Sequence, residues 1–253
     1  MKHNNSNWKA ILVLFAVLLL ATTLVGCKPS LSGKKIMFKT GDGFNIVGNL
    51  YDAHADKAVI LTHMLNSNKE SWHDFALQLK EKGYTVLAID MRGHGESNIQ
   101  NGQISLWRSF GPQEYNNMVL DVEAAMQVLE LRGIAVNKII LGGASIGANV
   151  MLNTAGRNPG VGAVFLLSPG MDYKDISVAS ALNTTTAPVY ILVSKGDTYS
   201  FQSSSAITKA LRARNVSVQM DSYQSGTAHG TDQIAQYKDA ADGIIIWIDG
   251  LNI

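Results

Sequence analysis

Apolar positions along the chain fall into three kinds of pattern. The first is an unbroken run, Ala10 to Ala21, which follows a cationic start containing Lys2 and Lys9. The run is short for a membrane span and suits the core of a signal peptide. The second kind is a set of short apolar runs with buried-strand character: Ala58 to Leu61, Thr85 to Ile89, Lys138 to Leu141, Ala163 to Leu167, Val189 to Val193 and Val216 to Tyr223. Ahead of them, Ile36 to Lys39 and Phe44 to Tyr51 flank Gly41-Asp42-Gly43, a turn sequence that predicts an antiparallel hairpin. The third kind has spacings of three and four. Trp72, Phe75, Ala76 and Leu79 predict a helix over 71–82, and Tyr115, Met118, Val122 and Met126 predict one over 112–131, with Pro112 in its first turn. Strands alternating with helices predict an α/β fold with a mostly parallel central sheet and helices on both faces. Such sheets carry their chemistry at the carboxyl ends of the strands.

Composition narrows the partners. The formal net charge is +1 and no basic face is evident, so nucleic acid is not an expected partner. No Cys/His cluster has metal-ligand spacing, and neither a metal nor a cofactor is expected. Cys27 is the single cysteine, which excludes an internal disulfide. It ends Leu24-Val25-Gly26-Cys27, a segment similar to a bacterial lipobox, in which the cysteine is diacylated and becomes the mature N-terminus. The expected organisation is therefore a lipoprotein signal peptide over 1–26, a lipid-anchored tether over 27–33 and an α/β domain over 34–253. Acyl chains contribute about 0.8 kcal/mol per buried methylene, enough together to hold the domain on a bacterial cell membrane or outer membrane, outside the cytoplasm.

Gly143-Ala144-Ser145-Ile146-Gly147 stands between a strand signal and a helical stretch. A sharp strand-to-helix turn needs glycines on either side of the serine, because neighbouring backbones come too close for side chains, and it pushes the hydroxyl outward as a nucleophile. A serine needs a base. His229 is the only histidine after Ser145 and lies in a loop beyond the last strand signal. Four aspartates lie between them: Asp172, Asp175, Asp197 and Asp221. Asp197 follows the buried run Val189 to Val193 at its carboxyl end and is the expected acid. Asp221 falls within a strand and should face away, while Asp172, beyond the preceding strand, remains the rival.

The run Gly83-Tyr-Thr-Val-Leu-Ala-Ile-Asp90-Met-Arg92-Gly93-His-Gly95-Glu-Ser97 resembles the segment around the fourth strand of α/β-hydrolases. With Leu61-Thr-His63, the Ser145 turn, Lys195-Gly-Asp197 and His229, the matches run in order from about residue 35 to the C-terminus. The closest flavour is the dienelactone-hydrolase-like and small carboxylesterase group. The resemblance implies the chain order serine, acid, histidine, and a Ser145–Asp197–His229 triad acting through an acyl-enzyme on small acyl substrates. It implies that Asp90 and Arg92 shape a turn beside the site and that His63 braces a loop; His94 is read as structural or exposed. It also implies that the backbone amides of Leu65 and Ile146 hold the oxyanion. Here the chain departs from the pattern, because Met64 stands where relatives have glycine, which narrows the acyl pocket or shifts the loop. Peptidase, thioesterase or acyltransferase chemistry, and a non-catalytic surface-anchored binding protein, are the alternative readings on this scaffold.

Overall fold

The computed structural model describes residues 33–253; the segment expected to be a signal peptide, Cys27 and the expected tether through residue 32 lie outside the described residues. The chain opens with β1 (Lys34–Lys39) and β2 (Phe44–Tyr51), paired antiparallel with Met37 opposite Val47. There follow β3 (Ala58–Thr62), α1 (His73–Glu81), β4 (Thr85–Ile89) and a short hairpin of β5 (Ile99–Gln100) and β6 (Gln103–Ile104). Next come α2 (Pro112–Asn116), α3 (Val119–Glu130), β7 (Ile139–Ala144), α4 (Ile146–Arg157) and β8 (Ala163–Leu167). A second hairpin, β9 (Asp172–Tyr173) with β10 (Ile176–Ser177), precedes α5 (Ala181–Thr184), β11 (Val189–Ser194), α6 (Thr198–Arg212) and β12 (Val218–Tyr223). Two helices, α7 (Asp232–Gln236) and α8 (Ala240–Asp249), end the chain.

The main sheet runs β12-β11-β8-β7-β3-β4-β2-β5-β6, with β1 also paired to β2. From β12 to β4 every pair is parallel; β2, β5 and β6 extend the sheet antiparallel. The parallel strands read as continuous apolar runs because both faces are covered. In β3, Ala58 and Ile60 enter one core while Val59 and Leu61 enter the other, and β7, β8 and β11 alternate in the same way. One core is closed by Val122, Met126 and Leu129 of α3, Met151 and Leu152 of α4, and Ile207 and Leu211 of α6. The opposite core is closed by Phe75 and Leu79 of α1 and by Ile244, Ile245 and Ile248 of α8. Each such side chain contributes about 1.5–3 kcal/mol by leaving water.

The structure corrects two local expectations. The helix expected over 112–131 is two helices, broken at Asn117-Met118; Asn117 caps α2 through its amide to the Gln113 carbonyl, and α3 starts afresh. The run Asn183-Thr-Thr-Thr186, whose polar composition predicts a loop, contributes two residues to α5. No large cap stands over the sheet: between β8 and β11 the chain forms only the β9–β10 hairpin and α5.

A buried ion network fixes the turn after β4. Arg92, 1% exposed, donates from Nε and from its backbone amide to the two carboxylate oxygens of Asp121 on α3, at 2.9 and 2.8 Å. Its other end donates to Asp42 in the β1–β2 turn at 2.6 Å, and the guanidinium lies over the Phe44 ring. Removing one partner of a buried pair strands the other charge, at about 3–5 kcal/mol. Asp121, fully buried, and Asp42, about a quarter exposed, should therefore differ. Asp121→Ala is expected to lower the urea midpoint severely and Asp42→Ala only mildly; equal shifts would show that Arg92 is not held as described.

Candidate active site

The register aligns the carboxyl ends of the parallel strands. Thr62 of β3 stands opposite Gly143 of β7, Ala144 opposite Leu167 of β8, Leu167 opposite Leu192 of β11, and Ser194 opposite Tyr223 of β12. The chain just beyond these ends supplies His63 to Leu65, Ser145, Ser168, Asp197 and His229, so residues far apart in sequence meet along one sheet edge.

Ser145 occupies φ 55°, ψ −120°, a conformation that non-glycine residues rarely adopt. Its amide donates to the Leu167 carbonyl at 2.8 Å, and its carbonyl accepts from the Ala148 amide at 2.9 Å. The flanking glycines make the turn feasible. A methyl on Gly143 would collide with the Gly147 carbonyl, and one on Gly147 would lie 2.6 Å from the His63 carbonyl oxygen. The same approach sets α4 against the end of β3, where the Thr62 hydroxyl donates to the Gly147 carbonyl at 3.2 Å.

The structure brings the three expected side chains together. His229 Nδ1 lies 2.6 Å from Asp197 Oδ2 and Nε2 lies 2.7 Å from Ser145 Oγ. The carboxylate can only accept, so Nδ1 carries the proton and Nε2 is left to accept from the serine hydroxyl. Asp197 occupies the residue before α6, where aspartate commonly caps a helix, yet its side chain makes no cap. It serves the imidazole instead. Burial pushes the Asp197 carboxyl up, but the hydrogen bond with His229 and the nearby Ser200 and Ser168 hydroxyls outweigh it, and the pKa falls below its ordinary value. Asp172 and Asp221 are elsewhere. The Asp172 carboxylate accepts from the Asp175 amide at 3.0 Å, and Asp221 accepts from the Tyr190 hydroxyl at 2.8 Å.

Among the described residues the amides of Leu65 and Ile146 donate to no protein group. Met64 packs against the loop that carries the histidine: its Sδ lies 3.0 Å, and its Cβ 3.5 Å, from the place a Gly230 side chain would start. The third atom near that place is Ala144 Cβ, at 3.4 Å. Met64 thus packs against the residue that follows His229, close to Ala144 of the elbow. His63 braces the loop. Its Nδ1–H donates to the Met64 carbonyl at 2.8 Å, and its Nε2 accepts from the Met91 amide at 3.1 Å. Burial holds its pKa down, and it remains neutral.

Four residues without a role in the sequence reading, Ser168, Gln233, Tyr173 and Ser200, complete the surroundings. The Ser168 hydroxyl accepts from the Gly230 amide at 3.1 Å and from Gln233 Nε2 at 3.0 Å, which ties the His229 loop to the end of β8. The Tyr173 ring meets the His229 ring edge-on at 6.2 Å, and its hydroxyl lies 2.8 Å from Ser200 Oγ. Burial, with Asp197 adding to it, pushes the phenol up to about 12, so Tyr173 stays a neutral donor. The signal for Ser168 was its position: it directly follows a buried strand, and Asp197 lies three residues beyond one.

Of the two readings of His94, structural or exposed, the structure gives the first, since the side chain is buried. Its ring stacks on Trp107 at 5.2 Å, faces His63 at 5.0 Å and donates from Nδ1 to the Arg92 carbonyl. Burial first, and the neighbouring His63 second, lower its pKa from 6.5 to about 4. The unfolded chain takes up this proton near 6.5 while the folded chain resists it until about 4. The stability linked to neutral His94 is thus complete above 6.5 and is lost as the pH falls toward 4. Denaturant titrations of wild type should show this decline and His94→Gln should flatten it; an unchanged slope in the variant would refute the assignment.

A family model described as serine aminopeptidase, S33 (Hydrolase_4), matches residues 53–224. No curated protein sequence matches the chain. Among solved structures, an esterase of Pyrococcus furiosus superposes with a TM-score of 0.70 at 18% identity, covering 87% of this chain and 90% of that one. A serine hydrolase of Cycloclasticus zankles gives 0.66 at 14% identity, covering 86% and 98%. A thermophilic esterase of Thermogutta terrifontis gives 0.63 at 14% identity, covering 85% and 98%. At these identities the structural likeness is one of fold. The family match spans more than half of the sequence and includes Ser145 and Asp197, and on that basis the chain belongs to the serine aminopeptidase S33 family of α/β-hydrolases.

Proposed function

We propose that the chain cleaves small carboxylic esters, with Ser145 as nucleophile, His229 as general base and acid, and Asp197 as the residue that orients and charges the imidazole. The observation that carries this reading is the continuous pair of hydrogen bonds from Asp197 to His229 to Ser145, at 2.6 and 2.7 Å. In the reaction His229 Nε2 takes the Ser145 proton as Oγ attacks the acyl carbon, and the imidazolium is stabilised by Asp197. The carbonyl oxygen, now an anion, accepts from the Leu65 and Ile146 amides; losing one such donor typically costs about 10²- to 10³-fold in rate. The imidazolium then protonates the leaving alcohol. Water, deprotonated by His229, attacks the acyl-serine, releases the acid and restores the serine.

Substrate size follows from the site's walls. The chain above it consists of the β9–β10 hairpin and the 98–111 insertion, and Met64 occupies space beside the elbow. Short acyl groups fit such a cleft. Each additional methylene held in an apolar pocket would add about 0.8 kcal/mol, so a deep pocket would be revealed by kcat/KM rising with acyl length.

Ser145→Ala, His229→Ala and Asp197→Asn should each reduce kcat severely without unfolding the protein, and the losses should not add, because the three groups act as one unit. A fluorophosphonate probe should label wild type and not Ser145→Ala. On p-nitrophenyl esters kcat/KM should fall beyond butyrate or hexanoate, and aminoacyl p-nitroanilides should be poor substrates. Esterase activity retained in Ser145→Ala ends the reading, a maximum at twelve carbons or more overturns the size limit, and faster anilide than ester cleavage makes the chain a peptidase.

The segment ahead of the described residues supports a second proposal, lipid anchoring at Cys27 with the domain outside the cytoplasm, because the apolar run Ala10 to Ala21 leads directly into Leu24-Val-Gly-Cys27. Mass spectrometry of membrane fractions should find a mature chain beginning at acylated Cys27, and Cys27→Ser should remain unprocessed. A free Cys27 thiol on a chain that still carries Met1 would refute it.

A further inference from the structure

A cavity of about 320 Å³ lies between residues 107–115 and the turn of the β9–β10 hairpin. Its walls are aromatic, from Trp107, Phe110 and Tyr115, and its rim carries Arg108, Lys174 and Asp175. The aromatic wall is fixed. Phe110 and Tyr115 pack edge to face at 5.8 Å, and the Tyr115 hydroxyl donates to the Trp107 carbonyl at 3.1 Å. The facing hairpin is held too, because Asn116 Nδ2 donates to the Asp175 carbonyl at 3.1 Å.

Both walls continue into the site. Arg108 donates from Nη2 to Asn66 Oδ1 at 3.2 Å, and Asn66 directly follows Leu65. Trp107 stacks on His94, which faces the bracing His63. On the other side Lys174 directly follows Tyr173, whose ring touches His229. Each wall of the cavity is therefore tied to the site through one contact, Arg108 with Asn66 on one side and Tyr173 with His229 on the other.

Its charge is unbalanced. Among the described residues neither Arg108 nor Lys174 forms an ion pair with a carboxylate; the Arg108 guanidinium instead lies 4.5 Å over the Trp107 ring. Stacking there keeps the planar fork beside the cavity with donors to spare, a geometry that matches a carboxylate. Two cations against the single carboxylate of Asp175, over flat apolar walls, select for a flat apolar group that ends in an anion.

Resting on the hydrolase reading above, we propose that this cavity is the substrate's specificity subsite, and that it takes a carboxylate carried on a planar apolar stem, held by Arg108 and Lys174 against Trp107, Phe110 and Tyr115. The preferred substrates are then esters with a free carboxylate remote from the scissile bond.

Two substrate pairs test this on the full chain: 4-acetoxybenzoate against phenyl acetate for the alcohol side, and mono-p-nitrophenyl glutarate against p-nitrophenyl butyrate for the acyl side. Rates are normalised to hydroxide-catalysed hydrolysis. In at least one pair kcat/KM should favour the anionic ester by about tenfold at low salt, with the preference shrinking as salt screens the exposed cations. The ratio should collapse toward one in Arg108→Gln/Lys174→Ala, and Lys174→Glu should invert it. Benzoate should also quench tryptophan fluorescence saturably in wild type, more tightly than benzamide, and not in the double variant. No preference in either pair, or one that survives in the double variant, overturns the subsite. Failure to turn over the neutral esters together with absence of fluorophosphonate labelling would instead mark failure of the hydrolase reading, and benzoate binding would still decide whether the cavity takes a carboxylate.

Discussion

The backbone of Ser145 is the constraint on which the rest of the site depends. A side-chain-bearing residue at φ 55°, ψ −120° costs about 1–3 kcal/mol, and it persists only where its surroundings leave no alternative. Here β7 and β8 are in register up to Ala144 and Leu167, so the Ser145 amide meets the Leu167 carbonyl just as the chain must reverse into α4. Gly143 and Gly147 let the helix come close enough for that reversal. The serine hydroxyl is then held out at the sheet edge, and the loops bearing His229 and Asp197 have only to reach a fixed point. Ser168, one residue past Leu167, anchors the His229 loop from the strand that also holds Ser145 in place.

A second set of forces holds the loops on the opposite side, and it is ionic. Asp90 accepts from the Lys69 amide at 2.7 Å, from Lys69 Nζ at 2.9 Å and from the Glu96 amide at 2.8 Å, joining the loops that follow β3 and β4 through one buried carboxylate. Lys69 is nearly fully buried; that burial lowers its pKa, but the hydrogen bonds with Asp90 and Glu96 more than compensate, and the net shift is upward. Buried charges of this kind contribute little net stability compared with apolar packing. Their value lies in direction, because a carboxylate with three donors tolerates far less sliding than a patch of leucines does. The loop that presents Leu65 is thereby fixed at both ends, by His63 and by Lys69.

The sheet and the triad were legible because each rests on a local signal repeated in a fixed order. Buried parallel strands write themselves as uninterrupted apolar runs, and the residue after each run lands on the same edge, which is why Asp197 could be preferred to Asp172 and Asp221. What stayed hidden has no periodicity. Asn117-Met118 interrupts a helix whose apolar spacing continues through the break, and no glycine or proline marks it. The strands of the two small hairpins are two residues long, too short to alternate. Trp107 on His94, Tyr173 on His229 and Ser168 beneath Gly230 are contacts between loops, and their partners lie far apart in sequence.

Met64 gives the site a mechanical property that glycine in its place would not. The thioether side chain is unbranched, turns about three bonds and is polarizable, so it accommodates a neighbour by changing shape. It lies against the peptide that follows His229, while Ser145 is held by backbone. For the ester cleavage proposed above, the side of the cleft formed by Met64 is therefore compliant and the serine side rigid. A branched or bulky acyl group displaces sulfur before it displaces any reacting atom, and misfit is absorbed as a lost rotamer and not as a lost alignment. Discrimination at such a wall is graded, with neighbouring acyl shapes separated by small factors in place of a sharp cut-off.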